Sequence, residues 1–264
     1  MGIAGSPAEP AGQLKGERHL SILSVLEREG RAEVGQLSRL LGVSEVTIRR
    51  DLRELDRQGV LVNVRGGALV TRGTGFEVSY AAKLGAHHDE KVRIARAACD
   101  RCRPGETVLL DAGTTVGAMA NHLPGSGLTV ITNALNVINI LARRTSIAFL
   151  VIGGEFRVVS QAFLGPRAVE ALSALRIDRA FIGTEGIAKD RGLQVPDSGD
   201  AAFKQAAVRA AREVVILADH SKFEVERLYT FADWHQVGEL ITGEETKEDS
   251  VDGLRSMGVQ VTVV

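Results

Sequence analysis

The sequence contains few cysteines, few aromatic residues and almost no net charge. Two cysteines in 264 residues cannot form a disulfide framework, which excludes the small secreted modules that depend on one. Lys+Arg 32 and Asp+Glu 33 nearly cancel, so no whole-chain field attracts nucleic acid or an anionic membrane. No apolar run reaches the roughly 18 residues of a membrane span, and residues 1–11 lack a basic-then-apolar leader pattern. We therefore expect a cytoplasmic protein without a membrane segment.

The usual cofactor and metal motifs are also missing from the sequence. No glycine turn is followed by G-K-[S/T], and no strand is followed by G-x-G-x-x-G, so we expect no nucleotide cofactor. Cys99 and Cys102 form a C-x-x-C without a second pair, inside a helix predicted over 90–103. A zinc site would need two more ligands, and the neighbouring His87 and His88 point to one only weakly. We predict two ordinary thiols, no metal and no cofactor.

The composition and the change of pattern along the chain predict two folded domains. The sequence is 44% hydrophobic and 25% charged, which is typical of a globular protein with a sizeable core. A Gly/Pro/Ala-rich tail (1–13) precedes a helical, charged region (14–72). A linker (73–88), with a turn at Thr71–Gly75, leads to a region (89–264) where Val/Ile/Leu runs alternate with Ala-rich helical stretches. That alternation is typical of an α/β domain with a mostly parallel sheet.

The first domain is predicted to contain three helices and a β-hairpin. Helix one spans about 14–29 and ends at Gly30, and helix two spans about 33–41 and ends at Gly42. Helix three begins at Ser44, a favourable N-cap, and runs to about Gln58 before Gly59. Two short helices joined by a glycine turn are a helix-turn-helix. The residues expected to face inward from the first two helices are Leu20, Ile22, Leu23, Val25, Leu26, Val34, Leu37, Leu40 and Leu41.

Helix three has the pattern of a DNA-recognition helix. Spacing at 100° per residue places Ile48, Leu52 and Leu55 on one buried stripe, with Arg50, Arg53 and Arg57 opposite. A solvated surface helix would show the same pattern, but the second helix of such a motif enters the major groove. The following hairpin has Arg65 at its tip, as in a winged module. The predicted DNA-contacting residues are Ser44, Glu45, Thr47, Arg49, Arg50, Arg53 and Arg65.

In the second domain, polar or glycine-bearing turns follow five predicted strands. The strands are predicted at 108–110, 128–131, 147–152, 180–182, 214–218, 239–241 and 259–263. Turns at the carboxyl edge of a parallel sheet are where ligands bind. Gly113-Thr114-Thr115 is a plausible anion cradle, and Lys204 and Lys222 could pair with a phosphate. The predicted effector-binding residues are Asp111, Gly113, Thr114, Thr115, Thr132, Asn133, Gly153, Gly154, Lys204, Asp219 and Lys222.

This set of residues suits a small phosphorylated sugar or polyol. Lysine ammonium groups would hold the phosphate, while Asp111, Thr132 and Asn133 are available for hydroxyl groups. The alternative is that each glycine and threonine simply caps a helix or makes a tight turn.

Several strings in both domains resemble the DeoR family of transcription regulators. In the first domain these are the stretch 41–52, LGVSEVTIRRDL, and the later VRGGA at 64–68. In the second they are DEKVRIA (89–95), LDAGTT (110–115), TNA (132–134), IGG (152–154) and ADHSKF (218–223). The resemblance implies a second domain similar to ribose-5-phosphate isomerase and CoA-transferase folds that senses sugar phosphates. The sequence departs from the family at His220, where serine is more usual, at Pro196-Asp197-Ser198 and at Lys83.

Three hypotheses follow from these patterns. The first is a repressor of carbohydrate-metabolism genes that binds double-stranded operator DNA as a homodimer or homotetramer and is released by the effector. The second is an isomerase-like or hydrolytic enzyme with Asp111, Glu185, Asp219 and Lys222 in acid–base roles, although no nucleophile with an orienting partner is recognisable. The third is an activator or an effector-blind DNA-binding protein of the same fold. We favour the repressor, and predict that the protein is not an enzyme.

Overall fold

The computed structural model describes residues 15–57, 61–69, 74–75, 77–125 and 127–264. Contacts between Cα atoms divide the chain into one unit that ends at Arg72 and a second that runs from Gly73 to Val264. The predicted tail (1–13), the helix-ending Gly59 and the first three residues of the predicted turn (71–73) lie outside the described residues. Among the residues that are described, no helix has the length and apolarity needed to cross a membrane.

The N-terminal unit contains the three predicted helices and the hairpin, together with one strand that the sequence did not reveal. The elements in chain order are α1 (Lys15–Glu29), β1 (Arg31–Glu33), α2 (Val34–Leu41), α3 (Glu45–Arg57), β2 (Val62–Val64) and β3 (Gly67–Leu69). Gly30 and Gly42 follow α1 and α2 with φ of 74° and 65°. This left-handed conformation is easy for glycine and ends a helix, so the predicted helix ends are confirmed.

Of the residues of α1 and α2 predicted to face inward, Ile22, Leu23, Val25, Leu26, Val34 and Leu37 are buried, Leu41 is half-buried, and the side chain of Leu20 lies outside the described part of the structure. Ile48, Leu52 and Leu55 of α3 are buried, as their spacing requires. Leu40, which was predicted to face inward, is 59% exposed. Because residues of a helix are about 100° apart, Leu40 lies about 120° from the buried Val34, on the flank of α2.

The three short strands form an antiparallel sheet in the order β1-β3-β2. Gly67 of β3 lies so close to β1 that an ideal Cβ would be 2.1 Å from the carbonyl oxygen of Ala32, which only glycine avoids. The carbonyl of Gly66 accepts a 2.9 Å hydrogen bond from the backbone N–H of Val34 at the start of α2. The sheet therefore holds the hairpin turn, Arg65–Gly66, against the helix-turn-helix.

The second unit is built on a seven-stranded sheet that contains every strand predicted from the sequence. Its elements are α4 (Tyr80–Lys83), α5 (His88–Cys99), β4 (Thr107–Leu110), α6 (Thr114–Met119), β5 (Thr129–Thr132), α7 (Leu135–Leu141), β6 (Ala148–Val151), β7 (Glu155–Arg157), β8 (Ala162–Leu164), α8 (Pro166–Ser173), β9 (Ile177–Gly183), β10 (Gly186–Ala188), β11 (Gly192–Val195), α9 (Ser198–Ala210), β12 (Ala211–Leu217), β13 (Tyr229–Ala232), β14 (Glu239–Thr242), α10 (Glu248–Arg255) and β15 (Gln260–Val263). The large sheet has the order β15-β14-β12-β9-β4-β5-β6, and every pair in it is parallel.

Both faces of the central strands of this sheet are covered, which explains their continuous apolar sequence, whereas Phe149, Leu150 and Val151 of the edge strand β6 are exposed. Leu109 of β4 and Ile182 of β9 belong to one buried cluster, whereas Leu110 and Phe181 belong to a second. Alternate residues thus serve opposite faces, as in other parallel sheets. The chain runs from β4 outward to β5 and β6, then returns to build β9 on the other side. The point where the strand order reverses lies between β4 and β9, and the crevice at their carboxyl ends is a favoured ligand position.

Two segments differ from what the sequence predicted: the linker contains a short helix, and the helix that carries the cysteines ends early. In the predicted linker (73–88), α4 begins after Ser79, and the N–H of Tyr80 donates to the carbonyl of Val159 at 2.7 Å. Helix α5 ends at Cys99, not at residue 103, because the N–H groups of Arg101 and Cys102 bond three residues back in tightened turns. Smaller antiparallel elements, β7-β8 and β10-β11-β13, were not predicted.

Candidate functional site

Helix α3 presents the predicted arginine face to solvent. The side chains of Arg49, Arg50 and Arg53 are exposed, on the side opposite the buried stripe. Arg49 pairs with Glu45 one turn earlier at 3.0 Å, and the Nε of Arg53 donates to the carbonyl of Arg49 at 3.1 Å. These local contacts hold the guanidinium groups along one side of the helix, where they can reach phosphates or base edges.

The start of α3 and the wing tip complete this face. The Oγ of Ser44 accepts a hydrogen bond from the N–H of Thr47 at 3.2 Å and lies 3.0 Å from the Thr47 hydroxyl. Ser44 therefore caps the N-terminus of α3, as its position in the sequence predicts. Arg65 is exposed in the turn between β2 and β3. Arg57, which was expected beside the other arginines, is exposed in the last turn of α3.

One buried ion-pair cluster fixes α3 against α1. Asp51 lies on α3 and is 2% exposed. The guanidinium of Arg18 donates to its two oxygens from Nε at 2.5 Å and from Nη2 at 3.1 Å, and His19 Nε2 lies 3.2 Å away. Burial acts to raise the pKa of Asp51, but the hydrogen bonds from Arg18 and His19 prevail and lower it. Asp51 therefore fixes the orientation of α3 against α1 and is buried away from the exposed arginines.

In the second unit, a cleft opens at the carboxyl ends of β4 and β9. Its walls are formed by the turn after β4, the turn after β9, one face of α9 and residues from 77–83. The predicted site residues that line it are Gly113, Thr114, Thr115, Lys204 and Lys222. Lysines and carboxylates alternate around the cleft, since Lys83, Glu77, Glu185 and Asp200 also line it.

Lys204 and Asp111 form a buried ion pair at the base of the cleft. Both side chains are almost fully buried and in direct contact, and Lys204 Nζ also donates to the carbonyl of Gly183 at 3.1 Å. Asp111 accepts the N–H of Gly183 at 3.2 Å, so this pair links the ends of β4 and β9. Burial acts to lower the pKa of Lys204, but the charges of Asp111 and Asp200 outweigh it and raise the pKa. Lys204 is a fixed positive charge.

Glu185 is held between two lysines on the opposite wall. Lys83 donates to Glu185 at 2.5 Å, and Lys222 Nζ lies 3.6 Å from its second oxygen. Burial acts to raise the pKa of Glu185, but the two ammonium groups prevail and hold it well below its usual range. The Glu185 carboxylate holds the ammonium groups of Lys83 and Lys222 at the cleft. An anion that enters the cleft therefore meets two positive charges in fixed positions.

Asp200 supplies the group of the cleft that titrates near neutrality. It lies one helical turn before Lys204, 3.7 Å from its ammonium nitrogen. Burial raises the pKa of Asp200 to about 7; the charge of Lys204 lowers it, and that of Asp111 raises it. At neutral pH this carboxyl group can therefore donate as well as accept a hydrogen bond, which suits a hydroxyl of a ligand.

The pKa of Asp200 predicts a pH dependence of the stability of the second unit. The folded state binds a proton at Asp200 that the unfolded chain releases near the ordinary value of 3.8, so stability falls as pH rises from about 4 to 7. Asp200→Asn removes this titration. The variant should gain at least about 1 kcal/mol relative to the wild type between pH 5 and pH 8. Urea unfolding followed by fluorescence of Trp234, the single tryptophan, would measure it, and parallel pH profiles would contradict it.

Other predicted effector residues do not line the cleft and have structural contacts instead. Thr132 donates from Oγ1 to the carbonyl of Leu110 at 2.7 Å and accepts the N–H of Ala134 at 3.1 Å. The side chain of Asn133 donates to the carbonyl of Phe163 at 3.2 Å. An ideal Cβ on Gly154 would lie 2.3 Å from a backbone oxygen, so this glycine permits close packing. Gly153, beside it, is exposed and has open space around its Cα.

Asp219 is also outside the set of residues that line the cleft, and it organises the turn that carries Lys222. Its Oδ1 accepts the N–H of Ser221 at 3.1 Å and contacts the Ser221 hydroxyl, while Oδ2 lies 3.9 Å from Lys91. The polar cleft residues that the sequence analysis did not assign to effector binding are Glu77, Lys83, Ser160, Thr184, Glu185 and Asp200. Among these, Thr184 and Glu185, in a strand-end turn, and Lys83, at a departure from the family pattern, had a signal in the sequence.

The two cysteines are free thiols, of which Cys99 is buried and Cys102 half-buried. Cys99 Sγ lies 3.6 Å from the carbonyl of Met119, and burial raises the pKa of both Cys99 and Cys102 to about 12. A thiol with so high a pKa is protonated at neutral pH and is a poor nucleophile and metal ligand.

The fold and the two faces define a winged helix-turn-helix DNA-binding unit joined to an α/β unit with a polar cleft at its topological switch point. Residues 18–74 match the family model of the DeoR-like helix-turn-helix domain, and residues 86–244 match that of the DeoR C terminal sensor domain. The chain therefore belongs to the DeoR family, and it is a DNA-binding transcriptional regulator.

Known proteins of similar sequence extend over nearly the whole chain. The HTH-type transcriptional repressor GlcR of Bacillus subtilis (strain 168) is 34% identical over 247 residues, which cover 94% of this chain and 95% of that protein. The glycerol-3-phosphate regulon repressor of Escherichia coli (strain K12) is 32% identical over 208 residues, covering 78% and 82%. Ribose 5-phosphate isomerase A of Methanocaldococcus jannaschii aligns with a TM-score of 0.39 and 18% identity over 52% of this chain and 55% of that one.

Proposed function

We propose that the protein is a cytoplasmic repressor of carbohydrate-metabolism genes that a small phosphorylated sugar or polyol releases from its operator. The observation that carries this proposal is the cleft at the switch point, where Lys83, Lys204 and Lys222 surround a space that also offers carboxyl and hydroxyl groups. Repression, as opposed to activation, is supported by the relatives, which are named as repressors.

The chemistry of the cleft matches a ligand with one anionic end and several hydroxyl groups. Lys83 and Lys222 are compact positive charges suited to phosphate, and the hydroxyls of Thr114 and Thr115 can donate to its oxygens. Asp200 can exchange hydrogen bonds with a hydroxyl in either direction. An uncharged sugar would leave the lysines without a new partner, so the phosphorylated form should bind more tightly.

Release from DNA requires that the ligand distinguish two states of the regulator. A ligand with equal affinity for the DNA-binding and the released states would shift nothing, however tightly it bound. Two cleft residues, Glu77 and Lys83, lie in the segment that follows the DNA-binding unit in sequence. Effector contacts with this segment are a direct way to couple occupancy of the cleft to DNA affinity.

Operator recognition by this unit calls for more than one copy of the chain. A single helix-turn-helix module buries too little surface for tight and specific binding at physiological salt, and dimers read two half-sites. We therefore propose a homodimer or homotetramer on double-stranded DNA. The DNA-contacting residues in this proposal are Ser44, Glu45, Thr47, Arg49, Arg50, Arg53 and Arg65.

The DNA-binding face can be tested with one arginine of α3. Arg50→Ala should weaken operator binding by about 1–3 kcal/mol, or about 5- to 150-fold, because the exposed guanidinium reaches a base edge or a phosphate. Fluorescence anisotropy with labelled operator DNA at fixed salt measures the change. The matched control is Arg212→Ala, since Arg212 is 83% exposed in the second unit. Equal losses in the two variants would contradict the assignment of α3 to the DNA interface.

We also propose that the cleft binds its ligand without turnover. Asp111, one of the residues considered for an acid–base role, is committed to Lys204 in a buried pair. Incubation of the protein with ribose 5-phosphate and with hexose phosphates should yield no isomerised product. Turnover that Lys222→Met abolishes would support an enzyme instead.

A further inference from the structure

Two histidines and one glutamate converge on a point outside the residues that line the cleft. His87 precedes α5, Glu90 lies in its first turn, and His220 follows β12. One ligand atom from each, a ring nitrogen or a carboxylate oxygen, lies within 4.8 Å of the other two. The rings of His87 and His220 stand edge to face, with centroids 4.5 Å apart. Side chains 130 residues apart in sequence thus present three metal-binding groups to one point.

The carboxylate of this cluster is held in position. Glu90 is 3% exposed, and its Oε1 accepts the backbone N–H of His220 at 2.8 Å. Its Oε2 lies 2.7 Å from His220 Nδ1. One oxygen is therefore fixed by the backbone, and the other is hydrogen-bonded to an imidazole nitrogen, so that a metal ion bound between them would take the place of the shared proton. Carboxylates that bind metal ions are usually held in position by hydrogen bonds of this kind.

Two neighbouring cations, Lys91 and Arg93, are paired with other groups. Lys91 turns away, donating to the carbonyls of Lys83 and Ala86 at 2.8 and 2.7 Å. Arg93 is paired with both oxygens of Glu245 at 2.7 Å. Glu245 adds negative charge nearby, because its Oε2 and Glu90 Oε1 lie 2.5 and 2.4 Å from the position an ideal Gly243 Cβ would take.

We propose that His87, Glu90 and His220 bind a divalent first-row transition metal ion, with Zn²⁺ as the ion the ligands suit best. Two imidazole nitrogens and one carboxylate oxygen are typical ligands of Zn²⁺, and a water molecule would take the fourth position. This proposal replaces the expectation from the sequence that the protein has no metal site. That expectation was based on the two cysteines and their neighbours, because the sequence alone did not show that His220 lies beside α5. It does not depend on the identity of the effector.

A bound ion would tie the start of α5 to the turn after β12. Because the ligands meet only in the folded state, the ion would stabilise the second unit by mass action. Trp234 lies in this unit, so its fluorescence during urea unfolding reports the effect. Zn²⁺ should shift the unfolding midpoint of the wild type upward, and a chelator should reverse the shift.

The direct test is isothermal titration of the full-length, chelator-treated protein with Zn²⁺. The wild type should bind one ion per chain, and His220→Ser should weaken binding by more than about 100-fold, since even the loss of an outer hydrogen bond to a ligand costs 10–100-fold. His87→Asn is the second variant, because asparagine tolerates the left-handed backbone found there, where φ is 53°. His88→Asn is the matched control, since His88 is adjacent and exposed and should keep wild-type affinity.

Cobalt substitution shows which residues hold the ion. Co²⁺ in the wild type should give visible d–d bands without a thiolate charge-transfer band, which excludes Cys99 and Cys102 as ligands. Circular dichroism establishes that each variant is folded, and if His220→Ser is not, His87→Asn carries the comparison. Wild-type affinity in either folded ligand variant, a thiolate band, or no saturable Zn²⁺ binding by the wild type would overturn the proposal.

Discussion

Asp51→Ala should destabilise the N-terminal unit by about 3–5 kcal/mol and abolish operator binding. The side chain of Asp51 is 3% exposed, and it accepts hydrogen bonds from the guanidinium of Arg18, which is itself mostly buried. Removing the carboxylate takes from this mostly buried cation the partner that joins it to α3, so less of its desolvation cost is offset. A loss of that size is comparable to the whole stability of a small domain.

The position of the tryptophan makes this prediction selective. Residues 1–72 contain no tryptophan or tyrosine, so Trp234 fluorescence reports only the unfolding of the second unit. Hydrogen exchange of the α3 amides reports the stability of the N-terminal unit. Asp51→Ala should change the exchange of the α3 amides and leave the Trp234 signal unchanged. Glu54→Ala is the matched control, since Glu54 also pairs α3 with α1 through Lys15 at 2.6 Å but in solvent. The account is contradicted if the two variants lose protection equally.

Lys204→Met should destabilise the second unit by about 3–5 kcal/mol. The substitution keeps most of the apolar length of the side chain but leaves the fully buried Asp111 without its ammonium partner. It also removes the hydrogen bond to the carbonyl of Gly183, which ties the ends of β4 and β9 together. Urea unfolding followed by Trp234 fluorescence gives the magnitude.

A second substitution separates the charge from the packing. In Lys204→Met with Asp111→Asn, the buried charge is gone while the amide oxygen can still accept the N–H of Gly183. The double variant should therefore recover a large part of the lost stability. Lys247→Met, at a surface pair with Glu224, should change stability by less than about 1 kcal/mol. If the single variant Lys204→Met has the same free energy of unfolding as this control, the buried Lys204–Asp111 pair does not stabilise the second unit.

The sequence predicted the elements whose pattern follows directly from geometry. The stripe of Ile48, Leu52 and Leu55 repeats with the period of a helix, and buried parallel strands are continuous apolar runs that end at polar turns. Leu40 shows where the pattern is ambiguous. Leu40 and Leu41 were both assigned to the core because adjacent leucines end α2, but only one side of the helix is covered.

The candidate site was predicted only in part, because polar turns have two uses that look alike in sequence. The hydroxyl of Thr132 satisfies backbone groups, whereas Thr114 and Thr115 line the cleft, although all three threonines lie at or just after the carboxyl end of a strand. Contacts between distant parts of the chain were beyond reach. Lys83 meets Glu185 across 102 residues, and Asp51 meets Arg18 across two helices. Such pairs depend on tertiary packing, which no local spacing encodes.

The most direct test of the central claim is operator release measured by fluorescence anisotropy. The DNA is the segment just upstream of the protein's own gene, the salt concentration is fixed, and sugar phosphates are added one at a time to the wild type and to Lys222→Met. We expect tight binding by both proteins, and one phosphorylated compound should weaken it for the wild type while leaving Lys222→Met on the DNA. Specific binding that no compound in the panel weakens, or no specific binding at all, would contradict the account.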